Sequence, residues 1–243
     1  MYQADERVDY LPGSELKIIQ SPHFFNFSLD AVLLARFAYV PIQKGRLVDL
    51  CTGTGAVPLL LSERTKGDLT AVDIQEPLVE MAKRSVKLNH LDKRIDVIDA
   101  DVKSITSRLG HGGFDIVTCN PPYFPVSAQA NHNENDHLTI ARHEVSCTLD
   151  DVTRAAAQLL RAGGKFAMVH RPERLVEILL SMKEMRLEPK RMQFVYPRMG
   201  KEANTLLIEG IKNGKPGLVT LPPLYIYEGE EYTREARQQI YGC

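Results

Sequence analysis

The chain has 243 residues, 44% of them hydrophobic and 25% charged; these are the proportions of a globular protein long enough to bury a full core, and one domain over 1–243 is expected. Its net charge of −1 and pI near 6.7 exclude a global attraction to phosphate, so any nucleic-acid partner must be met by a local patch. The four cysteines, Cys51, Cys119, Cys147 and Cys243, lie far apart and never as C-x-x-C, which excludes a disulfide framework and a zinc ribbon and suits a reducing cytoplasm.

Taken in chain order, Met1–Arg7 is acidic and polar where an export signal would be basic and then apolar, so a cytoplasmic location is expected. The aromatic run Phe24-Phe25-Asn26-Phe27 leads into Ser28-Leu29-Asp30 and an apolar helical stretch, Ala31–Phe37. Ser28 is a natural cap for that helix, a role that leaves the aromatic run unexplained. The first strand, Arg46–Leu50, passes into Asp49-Leu50-Cys51-Thr52-Gly53-Thr54-Gly55 and then a helix from Ala56 to Leu61. Glycines in such a strand-to-helix turn let the backbone approach a ligand closely. No Lys-Ser or Lys-Thr follows them, which excludes a P-loop, and Pro58 occupies the place of the third glycine of a dinucleotide fingerprint. A purely structural tight turn remains an alternative.

The second strand, Leu69–Asp73, ends in a carboxylate about 20 residues beyond the glycines, where Asp73 can accept hydrogen bonds from both ribose hydroxyls of a nucleoside cofactor. A helix is predicted over Pro77–Asn89, with Leu78, Ala82, Val86 and Leu88 at helical spacing. A third strand, Ile95–Ile98, is followed by Asp99-Ala100-Asp101. Asp101 is the preferred acceptor for an adenine amino group, although either acid could merely cap a helix starting at Val102.

The fourth strand, Phe114–Thr118, runs through Cys119 into Asn120-Pro121-Pro122-Tyr123-Phe124. Consecutive prolines hold the backbone extended and leave nearby carbonyls without local partners. The Asn120 side-chain oxygen and the Pro121 carbonyl can then accept both hydrogens of a planar NH2 group and turn its lone pair toward an electrophile, with Tyr123 stacked on the flat substrate and Pro122 and Phe124 beside it. A rigid turn with a buried Asn cap is the bland alternative. The segment 124–148 is polar and rich in Asn and His, and reads as a substrate-gating loop. Its His132, His137 and His143 match no familiar ligand spacing, so no metal is expected.

Beyond the loop come a helix over Asp150–Leu160, ending before Gly163-Gly164, and strands over Lys165–His170, Arg191–Tyr196 and Thr205–Ile211. Between Val152 and Lys201 there are 11 Lys or Arg against 4 Glu, a balance of +7 that leaves −8 for the rest of the chain. That half either grips a polyanion or is an ordinary set of solvated helix faces. The longest apolar runs, such as Val57–Leu61 and Leu175–Leu180, are far shorter than the roughly 20 residues a membrane-spanning helix needs. No periodicity decides whether the tyrosine-rich stretch from Pro222 to Cys243 packs, docks or moves. Strands alternating with helices make the fold class α/β, with a mostly parallel sheet covered on both faces.

With Asp49–Gly55, Asp73, Asp101 and Asn120-Pro121-Pro122-Tyr123 in this order, the chain resembles the class I S-adenosylmethionine-dependent methyltransferases of amino groups, over roughly Ser28–Tyr123. More narrowly, Phe27–Leu34 and Val72-Asp73-Ile74-Gln75 are similar to the bacterial family that methylates adenine-N6 in valine tRNA. The resemblance implies a Rossmann-like, seven-stranded fold with an antiparallel last strand at Thr205–Ile211. It implies cofactor contacts at Ser28, Asp30, Asp49, Gly53, Gly55, Asp73, Asp101 and Asn120, catalysis at Asn120, Pro121 and Tyr123, a covering role for residues 1–45, and an RNA substrate without an obligate protein partner. One departure is Cys51, which stands where many relatives carry the first glycine. Protein glutamine-N5 and ribosomal guanine-N2 methylation suit the same motif. A non-catalytic cofactor- or RNA-binding module has no need to present an amine, and a dehydrogenase would need a hydride-transfer partner that the sequence does not place.

Overall fold

A computed structural model of the protein describes residues 5–24, 26–123 and 147–242. The predicted loop at 124–148, Phe124 and the three loop histidines therefore lie outside the described residues, apart from Cys147 and Thr148. All seven predicted strands are present, as β3 (Arg46–Leu50), β4 (Asp68–Asp73), β5 (Ile95–Asp99), β6 (Phe114–Cys119), β7 (Leu160–His170), β8 (Leu187–Arg198) and β9 (Thr205–Lys212). They lie side by side in the order β8-β9-β7-β6-β3-β4-β5, with β9 antiparallel to both neighbours and the other pairs parallel. This is the fold class expected.

Seven strands were expected, and the sheet has ten among the described residues. The tyrosine-rich tail supplies two of the extra strands, since β11 (Leu224–Glu228) runs parallel to β8 and β12 (Glu231–Tyr232) folds back on β11; the third, β10 (Val219–Thr220), lies just before the tail and also pairs with β8. A further hairpin, β1 (Arg7–Tyr10) with β2 (Lys17–Gln20), forms a separate sheet. These strands are two to five residues long, too short for a period of two to stand out. Strand β7 also begins five residues before the predicted Lys165, because Gly163-Gly164 does not end it. A Cβ on Gly164 would meet Leu160, Arg161 and Asp115, all within 3.1 Å, at the place where the β6–β7 register shifts. The glycine is the mark of a bulge inside a strand rather than of its start.

Helices cover both faces. On one side α1 (Leu29–Phe37), α2 (Ala56–Ser62) and α3 (Glu76–Leu88) pack with the C-terminal α7 (Arg234–Tyr241), which buries Ala236 and Ile240. On the other lie α4 (Ile105–Leu109), α5 (Leu149–Leu159) and α6 (Leu175–Glu184). Alternation along β3 divides the two cores, since Leu47 faces the first and Val48 and Leu50 the second. Pro58 is tolerated in the first turn of α2, where backbone N–H groups have no helical partner to lose. Among the described residues no helix is long and apolar enough to cross a membrane.

One buried ion pair fastens the end of α1 to the sheet. Glu209, 3% exposed, receives two hydrogen bonds from its cross-strand neighbour Arg191, at 2.9 and 3.1 Å, and one from the Tyr39 backbone N–H at 2.8 Å. Removing Arg191 leaves that carboxylate buried without its cation. Arg191→Met is expected to destabilise the fold by about 3 kcal/mol, and the double variant Arg191→Met/Glu209→Met to recover most of the loss in urea unfolding. A single variant as stable as the parent would assign the pair no part in stability.

Candidate active site

The strand order reverses beside β3: the chain runs outward through β4 and β5, then returns to β6 on the other side. At such a switch point the loops leaving the two central strands diverge and open a crevice beyond their C-terminal ends. Register makes this concrete. Leu50 pairs with Cys119 and also with Val72, so Cys51, Asn120 and Asp73 leave three adjacent strands at one level. A cavity of about 430 Å³ opens there.

Its floor is the glycine turn. Gly53 has φ +57, its N–H donates to Asp73 Oδ2 at 2.8 Å, and a Cβ built on it would meet nothing within 4 Å, so the backbone borders open space. Asp73 Oδ1 accepts from the Gln75 N–H at 3.0 Å. The carboxylate, 7% exposed, is thus held by backbone donors with its remaining lone pairs toward the cavity it lines. Burial pushes its pKa up, and the backbone donors offset part of the rise. Asp101 caps the short helix that follows, accepting from the Lys103 N–H at 2.8 Å, and also lines the cavity, so the two readings of that residue coexist. Asp99 does not line it.

The opposite wall carries the motif after β6. Asn120, Pro121, Pro122 and Tyr123 all line the cavity. The Tyr123 hydroxyl sits between Asn120 Oδ1, at 2.6 Å, and Asp30 Oδ2, at 3.0 Å, while Thr205 Oγ1 donates to Asp30 Oδ1 at 3.1 Å. Burial and the Asp30 carboxylate keep the phenol protonated. The Tyr123 ring is tilted against His170, with centroids 5.3 Å apart, and the Arg171 guanidinium lies 4.9 Å from its centre. His170 accepts the Arg171 backbone N–H at Nδ1; burial, followed by the nearby Arg174 and Arg171, lowers its pKa to about 3, so the imidazole is neutral.

Most of the predicted site is brought together: Ser28, Asp30, Gly53, Asp73, Asp101, Asn120, Pro121, Pro122 and Tyr123 share the cavity. Ser28 makes no capping hydrogen bond, so its position at the start of α1 does not occupy its hydroxyl. Two residues stand elsewhere. Gly55, φ +90, faces Ala82, whose Cβ lies 3.3 Å from where its own would be, so it lets α3 approach α2. Asp49 is 2% exposed beneath the floor and accepts from Thr118 Oγ1 at 2.6 Å. Neither lines the cavity. Sequence reasoning gives no role to Arg171, nor to Thr52, Ile74 and Gln75 beyond their place in the motifs, yet these four are among the residues that line the cavity. Arg171 directly follows the C-terminal end of β7, so the rule that singled out Asp73 and Asn120 also reaches it.

A family described as methyltransferase small domain matches residues 28–188. The chain belongs to this family. The methyltransferase is 30% identical over 214 residues to the tRNA1(Val) (adenine(37)-N6)-methyltransferase of Bacteroides thetaiotaomicron, covering 85% of this chain and 87% of that one. It is 29% identical to the same-named enzyme of Phocaeicola vulgatus over 74% of each chain. Among solved structures it is similar to one described as a predicted O-methyltransferase of Agrobacterium tumefaciens, with TM-score 0.71, 25% identity and coverage of 88% and 96%. It shares its fold with a 16S rRNA N2 guanosine methyltransferase of T. thermophilus, at TM-score 0.59 and 19% identity over 85% of this chain and 50% of that one.

The residues present fit S-adenosylmethionine. The open side of Gly53 admits a ligand against the backbone, and Asp73 and Asp101 offer acceptors at two separate points of the cavity. Beneath them, burial pushes the Asp49 carboxyl from 3.8 to about 7, partly offset by the Thr118 hydroxyl. The native state therefore holds a proton that the unfolded chain gives up near pH 4. This contribution is complete below that pH and is lost as the pH rises through 7. The stability gained by Asp49→Asn over the parent is expected to widen between pH 5 and 8 in urea unfolding; an unchanged difference would show that Asp49 ionises as if exposed.

Proposed function

We propose that this methyltransferase transfers a methyl group from S-adenosylmethionine to the N6 amino group of an adenine in tRNA. The observation that carries the reading is the meeting of Asn120, Pro121 and Tyr123 with Asp73 and Asp101 in a single cavity. The names of the relatives support adenine as the base and tRNA as its carrier.

Bound S-adenosylmethionine supplies an electrophilic methyl group on a sulfonium. The chain's task is placement. Asp73 would accept hydrogen bonds from the cofactor's ribose hydroxyls and Asp101 from its adenine amino group, with Ser28 and Asp30 lining the same cavity. The Asn120 amide oxygen has two lone pairs, so one can keep the Tyr123 hydroxyl while the other accepts a substrate N–H, and the Pro121 carbonyl accepts the second hydrogen. Both hydrogens are then held in the plane of the base, and the nitrogen lone pair faces the methyl group. The Tyr123 ring offers the base a stacking face, and Pro122 borders it. No strong base would be needed: as nitrogen bonds to the methyl carbon the carbon–sulfur bond breaks, its electron pair stays on the departing thioether, and the nitrogen, now acidic, gives up one proton to solvent. Neutral His170 adds no charge beside it. In this reading residues 1–45 cover the cofactor through Phe27–Ala31, 1–243 act as one methyltransferase domain, and the enzyme works in the cytoplasm.

The test is transfer of labelled methyl to unmodified tRNA and, in parallel, to a protein extract, followed by nucleoside and amino-acid analysis. Label in N6-methyladenosine is expected; label only in methylglutamine or methylguanosine would replace the substrate assignment. Asn120→Ala should abolish transfer while leaving S-adenosylmethionine affinity within about threefold of the parent, because its oxygen holds the acceptor amine. Full turnover by that variant would sink the mechanism.

A further inference from the structure

The excess of basic residues between Val152 and Lys201 is not one surface. Five of the eleven cations are ion-paired: Arg154 with Asp151, Arg161 with Asp115, Arg174 with Glu177, Lys183 with Glu188 and Arg191 with Glu209. Among the described residues the other six, Lys165, Arg171, Arg186, Lys190, Arg198 and Lys201, make no ion pair within 4 Å. Strand register divides them. Leu187 pairs with Lys212, and Lys165 with Ile211, which puts Lys165, Arg186 and Lys190 toward the end of the sheet away from the cavity. Val195 pairs with Thr205, and His170 with Leu206, which puts Arg171, Arg198 and Lys201 at the cavity end.

The turn joining β8 to β9 is built into the wall of the site. Arg171 Nη1 donates to the Asn204 carbonyl at 2.6 Å, and the next residue, Thr205, holds Asp30. The Asn204 N–H donates to the Val195 carbonyl at 3.1 Å, and the Lys201 N–H to the Arg198 carbonyl at 3.2 Å, so the turn has a fixed shape. Arg198, Met199 and Lys201 are exposed on it, Met199 at 80%. Across the neighbouring strand, Arg198 lies 6.0 Å from the Tyr227 ring. Beyond Tyr227, the β11–β12 turn carries Glu228 and Glu230, with Glu231 paired to Arg237, and Glu202 is the one acid on the β8–β9 turn itself. Positive charge therefore leads from the cavity mouth at Arg171 onto this turn and ends at an acidic border.

We propose that the β8–β9 turn is the docking surface for RNA flanking the target nucleotide, with Arg198 and Lys201 contacting backbone phosphates and Arg171 marking where the strand enters the cavity. The acidic β11–β12 turn repels the backbone and fixes the side along which it leaves. This rests on the RNA reading of the site.

The experiment compares Arg198→Glu/Lys201→Glu with Arg186→Glu/Lys190→Glu, a charge change of equal size at the far end of the sheet. It measures the Kd for unmodified tRNA at several salt concentrations, methyl transfer to that RNA, and S-adenosylmethionine affinity as a check of folding. The turn variant is expected to weaken RNA binding by more than about tenfold and to reduce the salt dependence by about two phosphate contacts, with cofactor affinity unchanged. The far-end variant is expected to bind within about twofold of the parent. If the parent methylates RNA and the turn variant binds it as tightly, or both variants lose affinity equally, the docking surface is wrong while the function stands. A parent that labels protein and no RNA overturns both.

Discussion

The site depends on the registration of β3 against β6. These strands are not neighbours in sequence, since β4 and β5 lie between them, yet Leu50 and Cys119 end level with each other. That alignment sets the glycine turn beside Asn120, and a slip by one residue would turn each side chain to the other face. The Asp49–Thr118 hydrogen bond, inside the same pair of strands, joins the two directly under the floor. An acid here has a structural use although it never reaches the cavity: it links the strand that delivers the cofactor turn to the strand that delivers the acceptor motif.

The two halves of the cavity are also tied from above. Asp30, from α1, binds Tyr123 through one oxygen and Thr205 of β9 through the other. The residue implied as a cofactor contact therefore also orients the aromatic ring of the acceptor side. The Tyr123 hydroxyl has a single hydrogen for Asp30 and Asn120, so it donates to one of them at a time.

Much of this was legible because the deciding signals are local. Central strands buried on both faces appear as continuous apolar runs, and the residues at or just past their C-terminal ends, Asp73 and Asn120, line the cavity, as does Asp101 beyond the edge strand β5. What the sequence hid was long-range. Gly53 and Gly55 look alike in the string, but one borders open space and the other admits Ala82 of α3. Cys51, in place of a glycine, adopts φ +56, a conformation that costs a non-glycine residue about 1 kcal/mol and that nothing in the string announces. The balance of +7 holds along the chain, but five of the eleven cations behind it are spent on acids, two of them, Arg161 and Arg191, on acids brought near only by the fold.

The Thr205–Asp30 bond spans 175 positions of sequence, and α7, last in the chain, packs against α1, which carries Asp30. Contacts of such separation form late, after the loop-closure entropy has been overcome. During synthesis the glycine turn, Asp73 and Asn120 leave the ribosome well before the segments that hold Asp30 and roof α1. The cavity is thus completed only once Thr205 and α7 have joined the fold, and a chain ending before them carries the cofactor floor and the Asn120–Tyr123 wall without the contacts that hold Asp30 and α1.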